Sequence, residues 1–388
     1  MMTANDRGYT KSRREKDSSE RNREILVIYG EEYEKMTYRL LEEANLAEQI
    51  GDRKKRIGIK PNLVSPVLAS EGATTHPEVV EGLLRYLQEH GFQNLAIMEG
   101  SWVGARTEDA FSVCGYKELA EKHNVELIDT QKERPVTVDC AGVKLHLCAC
   151  ALDVDYMINV PVMKGHCQTH ITCALKNMKG LLPNAEKRRF HSMGLHKPIG
   201  HLAVGIRQDF ILVDSICGDL SFEDGGNPTV MNRIFAARDP VLCDAYVCRL
   251  LQYQTEEVPY IGIAEALGAG SADLSQAVIR ELNISDSPAE LPDRNKVMKL
   301  AEAVEDVDSC SACYGYLIPA LDKLDQEGFL KDFPEKICIG QGYKGKTGKL
   351  GIGNCTKNFD HSLKGCPPTE KEIYEFLKIY ALDCVQKD

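Results

Sequence analysis

Between Lys164 and Lys179 the chain reads KGHCQTHITCALKNMK, which places three lysines, two histidines four apart, two cysteines and an asparagine in sixteen residues. Packing alone rarely requires so many reactive side chains together. The chemistry they suit is binding of a small anion with proton exchange. Histidine titrates near neutral pH, and a partly desolvated lysine can be brought down toward it. Lys164, His166, His170 and Lys176 are therefore the candidate catalytic residues, joined by His191 in the later loop RRFHSMGLH. His166 and His170 also have the spacing of two metal ligands on a helix, but a glycine precedes the first and no third ligand is evident.

A second chemistry is written at the carboxyl end. Cys310-Ser-Ala-Cys313 is followed by Gly353-Asn354-Cys355 and Gly365-Cys366-Pro367-Pro368. Four thiolates from a CxxC pair and two distant cysteines can surround one metal centre, and both later cysteines lie next to glycine, where backbone can approach closely. A Cys-Pro at the last ligand is a feature of several ferredoxin-type clusters, which makes a [4Fe-4S] cluster the first expectation. Zinc is the alternative, although zinc ribbons usually bring two CxxC pairs and here the second pair is split. Lys344, Lys346, Lys349, Lys357 and Lys364 crowd the same segment. They read either as the solvated edge of a glycine-rich hairpin or as a docking face for an acidic electron carrier such as a ferredoxin or flavodoxin-like protein.

The elements that must position these groups follow from periodicity. Short apolar runs at Glu24–Gly30, 56–59, 94–98, 125–129, 157–163, 209–215 and 233–237 alternate with helical patterns, as at 77–90, 108–123 and 241–252. Such alternation predicts an α/β fold with a mostly parallel, doubly wound, Rossmann-like sheet. Pro135 to Cys148 interrupts it as an inserted antiparallel hairpin. Polar groups recur at strand ends, where open α/β sheets bind ligands. Lys60, Asn62, Ser101, Asn177, Lys179 and Asp214 are accordingly the expected substrate-binding residues, whereas Asp239 suits a helix cap equally well. Residues 1–23 read as a disordered tail, 24–290 as the α/β domain and 296–388 as a small α+β cysteine-rich domain, with no internal repeat visible.

Composition narrows the function classes. A net charge of −11 argues against a general nucleic-acid binder. No apolar run approaches the ~18 residues of a membrane span, and no secretory signal precedes the chain, so a cytoplasmic protein with no membrane partner is expected. The fifteen cysteines then read as thiols, some of them metal ligands. GSWVG is not a dinucleotide fingerprint, which disfavours a nicotinamide cofactor.

The blocks PVMKGHCQTHITCALKNMKGLLP, IKPNLVSP, ATTHPEVVEGLLRYLQEHG and ARDPVLCDAYVCRLL, in this order and spacing, resemble the domain of unknown function 362 family over roughly residues 25 to 255. The resemblance implies an anion site and an association with iron-sulfur clusters, commonly through an attached ferredoxin domain. This chain lacks the compact CxxCxxCxxxCP run and has the split quartet instead. The expected function is an iron-sulfur oxidoreductase passing single electrons between a carrier protein and a small anionic substrate. The alternatives are a lyase or isomerase acting on a carboxylate, or an anion-binding accessory protein with a structural zinc or cluster.

Overall fold

A computed structural model describes residues 23–223, 225–284 and 295–385. The expected amino-terminal tail, apart from Arg23, and most of the expected domain boundary lie outside these residues. The chain runs β1 (Glu24–Tyr29), α1 (Tyr33–Glu43), β2 (Ile57–Pro61), α2 (Pro77–Glu89), β3 (Leu95–Glu99), α3 (Thr107–Val113), α4 (Tyr116–His123) and β4 (Glu126–Asp129). It continues through β5 (Pro135–Cys140), β6 (Val143–Cys148), β7 (Tyr156–Val160), β8 (Lys164–His166), β9 (His170–Thr172), α5 (Ala174–Asn177), α6 (Asn184–Met193) and α7 (His196–Gly205). Then come β10 (Phe210–Asp219), β11 (Pro228–Ala237), α8 (Pro240–Leu250), α9 (Pro259–Ala266) and β12 (Val278–Glu281).

Eight of these strands form one sheet in the order β12-β1-β11-β10-β7-β2-β3-β4. It is mostly parallel; β11 alone runs against its neighbours β1 and β10. Apolar residues on one face pack against α1 and α2, and those on the other against α6 to α9 and the β5–β6 hairpin, so both faces are covered. That is why β7 is buried along its whole length, with no polar-out alternation. The hairpin turns at Ala141-Gly142, both at positive φ, which matches the twist of the flanking strands. The helix expected over residues 108–123 is divided at Gly115, whose φ of 77° ends α3 and starts α4.

Departing from β2, the chain moves to β3 and β4 on one side, then returns to β7 and β10 on the other. The crevice beyond the carboxyl ends of β2 and β7 is thus a topological switch point, the usual ligand position in such sheets.

The carboxyl-terminal part contains α10 (Asn295–Ala301), β13 (Val304–Asp306), α11 (Ser311–Gln326), β14 (Ile337–Ile339), β15 (Leu350–Ile352), β16 (His361–Leu363) and α12 (Glu370–Val385). Its four strands are parallel and ordered β13-β14-β15-β16. The glycine-rich hairpin expected from the lysine-bearing segment is therefore absent from this stretch. Each strand instead ends in a tight turn and the chain returns to start the next, using Gly340 and Gly353 at positive φ. This is a structural repeat that the sequence disguises, because only the strand-end geometry recurs. Cys167, from the β8–β9 turn, and Phe222, from the loop after β10, are buried in the core of this second part. Burial of side chains of this kind contributes on the order of 1.5–3 kcal/mol each for the larger apolar ones.

Candidate functional site: a lysine-lined cavity beside four cysteines

Parallel pairing of β2 with β3 brings Lys60 and Glu99 together at their carboxyl ends, where the ammonium donates to the Glu99 carboxylate and to the Pro61 carbonyl. Both groups are buried. Burial lowers the Lys60 pKa while Glu99 pushes the other way. Asn177 completes the corner: its Oδ1 accepts from Lys60 and Asn62, and its Nδ2 donates to the Lys60 carbonyl and to Asn159 Oδ1 at 2.7 Å. Gly180 closes against this pair. A Cβ there would stand 2.1 Å from Glu99 Oε1 and 2.5 Å from Lys60 Cε, so no side chain fits.

The β8–β9 hairpin supplies the opposite wall. Lys164 Nζ donates to the carbonyls of Ala73 (2.6 Å) and Glu223 (2.8 Å) and to Asn62 Oδ1 (3.2 Å). His166 Nδ1 accepts from the backbone amides of Gln168 and Thr169 at 3.0 and 3.2 Å, which leaves the proton on Nε2, 2.9 Å from Glu223 Oε2. Burial holds the ring neutral, with its pKa pushed down to about 4 despite Glu223. The same carboxylate receives Lys176, and its own pKa is held well below the usual range: burial opposes this, but His166 and Lys176 outweigh it. Lys187 Nζ spans the carbonyls of Gly100 and Ser101 at 2.7 and 2.8 Å, and burial brings it down to about 8.

Lys60, Asn62, Lys164, Lys176, Asn177, Lys179 and His191 all border one cavity of about 100 Å³, together with Glu99, Lys187 and Glu223. Five lysines against two glutamates leave it cationic. His191 also borders a second cavity lined by Gln168, His196, Ser309 and Tyr314. Its buried Nδ1 makes no hydrogen bond among the described residues, and burial, reinforced by Lys179, pushes its pKa down to about 3.

Three sequence candidates lie elsewhere. His166 and His170 face each other across a β-hairpin and are not one turn apart on a helix. His170, at φ 62°, packs its ring 5.0 Å from that of Tyr253, away from the cavity. Ser101 spends its hydroxyl on the Leu63 carbonyl. Asp214 is buried within β10, where it accepts from the amide and Nδ1 of His76 at 2.7 and 2.8 Å. Asp239 caps α8 through the amides of Val241 and Leu242. Glu223, Lys187, Trp102 and Tyr316 border the cavity without having been singled out from the sequence.

The roof comes from the carboxyl-terminal part. Gly315 and Tyr316 of α11 reach the cavity, and Tyr316 meets Trp102 edge to face, with ring centroids 5.4 Å apart. The same helix begins at Cys310 and carries Cys313 in its first turn. Because β13, β15 and β16 are parallel, the turns that follow them deliver Cys310, Cys355 and Cys366 to one end of the small sheet. Asn354 and Gly365 are tied by reciprocal hydrogen bonds of 2.9 and 3.0 Å, which fixes the Cys355 and Cys366 turns together. A Cβ on Gly353 would lie 3.8 Å from Cys313 Sγ. The other three thiols all act on Cys313: burial, then Cys310, Cys366 and Cys355, pushes it up to about 12. Gln341 Nε2 stands 3.6 Å from Cys310 Sγ. Such opposition to ionisation at Cys310 and Cys313 is what a bound cation relieves, so the donor set fits a thiolate-ligated metal centre. Cys366 is exposed, and the other three are partly so.

Cys173, Cys243 and Asp244 form a further buried cluster, with ligand atoms within 4.8 Å of one another. Asp244 accepts from the amides of Ala174 and Leu175, and burial raises its pKa to about 7. It thereby anchors the start of α5, which carries Lys176 and Asn177.

Residues 57–249 match the family described as Domain of unknown function (DUF362). A thylakoid-associated protein of Synechocystis sp. (strain ATCC 27184 / PCC 6803 / Kazusa) is 26% identical over 227 residues, 55% of this chain and 68% of that protein. Its description names thylakoids, where the sequence alone pointed to the cytosol; no helix among the described residues is long and apolar enough to cross a membrane. The lactate racemase apoprotein from Thermoanaerobacterium thermosaccharolyticum is similar at 15% identity and a TM-score of 0.41, covering 60% of this chain and 58% of that one. A crystal structure of a Thermotoga maritima protein gives 14% identity and a TM-score of 0.37, covering 57% and 60%. The chain thus spans less than two thirds of the length of either solved structure.

Proposed function

Residues 57–249 of this chain belong to the DUF362 family, and from that premise we propose that the protein is an iron-sulfur oxidoreductase passing single electrons between a carrier protein and a small anionic substrate. One observation carries the reading: Cys313 and Tyr316 lie a single turn apart on α11, so the helix that starts the cysteine quartet also roofs the lysine cavity. A cluster held by Cys310, Cys313, Cys355 and Cys366 supplies one-electron storage when bound.

The chain's own residues do the rest. Lys164, Lys176 and Lys187 attract the anion, and Asn62 and Asn177 hold two of the cavity's ammonium groups in register. Trp102 and Tyr316 shield the site from bulk water, which strengthens each of these charges. His166 acts through Glu223, whose position it fixes.

Structural zinc on the same four thiolates is the alternative, and metal content decides between the two.

Lys344, Lys357 and Lys364 are exposed and follow β14, β15 and β16 on the same side as the cysteines. Lys344 acts electrostatically on Cys310. These cations beside an exposed Cys366 suit docking of an acidic carrier of ferredoxin or flavodoxin type.

Anaerobic purification tests the proposal. A brown protein with about four irons and four sulfides per chain is expected; a colourless one holding stoichiometric zinc overturns it.

A further inference from the structure

Four of the five lysines at the cavity are clamped by protein acceptors: Lys60 by Glu99, Lys164 by backbone carbonyls, Lys176 by Glu223 and Thr172, Lys187 by the carbonyls of Gly100 and Ser101. Lys179 differs. Its side chain borders the same cavity, yet among the described residues no group accepts a hydrogen bond from its Nζ. An amine left without an acceptor, inside a space already rich in cations, is poorly suited to be one more electrostatic clamp.

We propose that Lys179 is the covalent amine of this pocket and that its substrate is a small oxo acid, a carboxylate bearing an aldehyde or ketone, captured as an imine. The proposal rests on the pocket being a small-anion site and not on which metal the cysteines hold.

Three features support it. Burial, reinforced by Lys176 and Lys187 and partly opposed by Glu223, brings Lys179 down to about 7, so a large share of it is the neutral amine at physiological pH. Desolvation and neighbouring cations are the two established means of activating a lysine toward carbonyl carbon. Next, Lys176 and Lys187 each use two of three ammonium protons on protein acceptors, which leaves one apiece for a carboxylate or a carbonyl oxygen. Finally, Trp102 and Tyr316 on one side and Gly180, where no side chain fits, on another narrow the cavity, which favours a small substrate.

The chemistry balances without an oxidant or reductant. Nζ adds to the carbonyl carbon as the oxygen takes a proton from Lys187 or Lys176, which recovers one from Nζ; a second such transfer turns the hydroxyl into departing water as the C–O bond breaks and C=N forms. Trp102 and Tyr316, covering the cavity, limit the return of that water.

Full-length protein with its native metal content is incubated with glyoxylate or pyruvate and sodium cyanoborohydride, digested, and mapped by mass. The expected result is a reduced adduct on the peptide containing Lys179, at least about tenfold above the exposed Lys346, abolished in both Lys179→Arg and Lys179→Met. An adduct distributed over surface lysines, or an unmodified Lys179 with both acids, overturns the assignment. Should the variants fold poorly, sulfate competition on the wild-type protein decides: protection of Lys179 is expected, and labelling indifferent to sulfate refutes it. Iron is measured in the same samples. Labelling without iron counts only against the oxidoreductase reading; iron without labelling counts only against the imine.

Discussion

Tyr316 lies edge-on against Trp102, with ring centroids 5.4 Å apart and planes at 74°. One ring belongs to the cysteine-bearing helix and the other to the loop following β3. Their contact joins the cysteine quartet to the cavity roof, so a change in either part is felt by the other.

Tyr316→Ala removes that roof. Aromatic pairs of this geometry are worth about 0.5–1.5 kcal/mol beyond their area. Titration calorimetry with a small anion should show affinity weakened by roughly three- to tenfold, with iron content unchanged. Unaltered binding would mean that the roof is only a domain contact.

Glu223→Gln removes the carboxylate that neutralises Lys176 and orients His166. The pocket becomes more cationic, and inorganic sulfate should bind up to about tenfold more tightly, ~1.4 kcal/mol, with a steeper salt dependence. Weaker sulfate binding would show that Glu223 chiefly holds the lysines in place.

Lys60→Met leaves Glu99 buried without its cation. Breaking a buried pair from one side costs about 3–5 kcal/mol, and the double variant Lys60→Met/Glu99→Leu should recover most of that loss. Urea denaturation of the three variants gives the coupling directly. Additive losses would contradict the pairing.

His166 and His191 have folded pKa values near 4 and 3, below the 6.5 usual for an unfolded chain. A depressed folded value means that the unfolded state binds the proton first, so the stability contributed by these rings is complete above pH about 6.5 and declines as pH falls toward 4 and then 3. His191→Gln should reduce the slope of stability against pH across that window. An unchanged slope would show that the ring is charged in the folded protein.

Cys366→Ala removes the exposed thiol of the proposed cluster set, next to Gly365. Iron should fall from about four per chain to three or fewer, or be lost on exposure to air, while Cys338→Ala, on β14, should leave iron unaltered. Equal iron in the Cys366 variant would exclude that residue from the set.

Much of this architecture was legible in the chain. Alternating apolar runs and helical patterns gave the mostly parallel sheet, and the strand-end Lys60, Asn62, Lys164 and the later Lys176, Asn177 and Lys179 do meet at one cavity. The helical metal-ligand spacing of His166 and His170 goes unused because His170 takes a left-handed backbone that closes a hairpin, a local choice that spacing does not encode. The antiparallel β11 and the parallel β14 to β16 were equally hidden, since strand direction is set by connections and neighbours.

The sequence by itself determined which reactive groups exist and that they fall at strand ends, because side-chain periodicity is a short-range property. Only the tertiary structure decided their charge states and partners. Lys60 is 117 residues from Asn177, and Lys164 is 59 from the Glu223 carbonyl; such meetings depend on strand order and register. Burial at that junction then sorts the lysines into those neutralised by acids or carbonyls and one, Lys179, that is not.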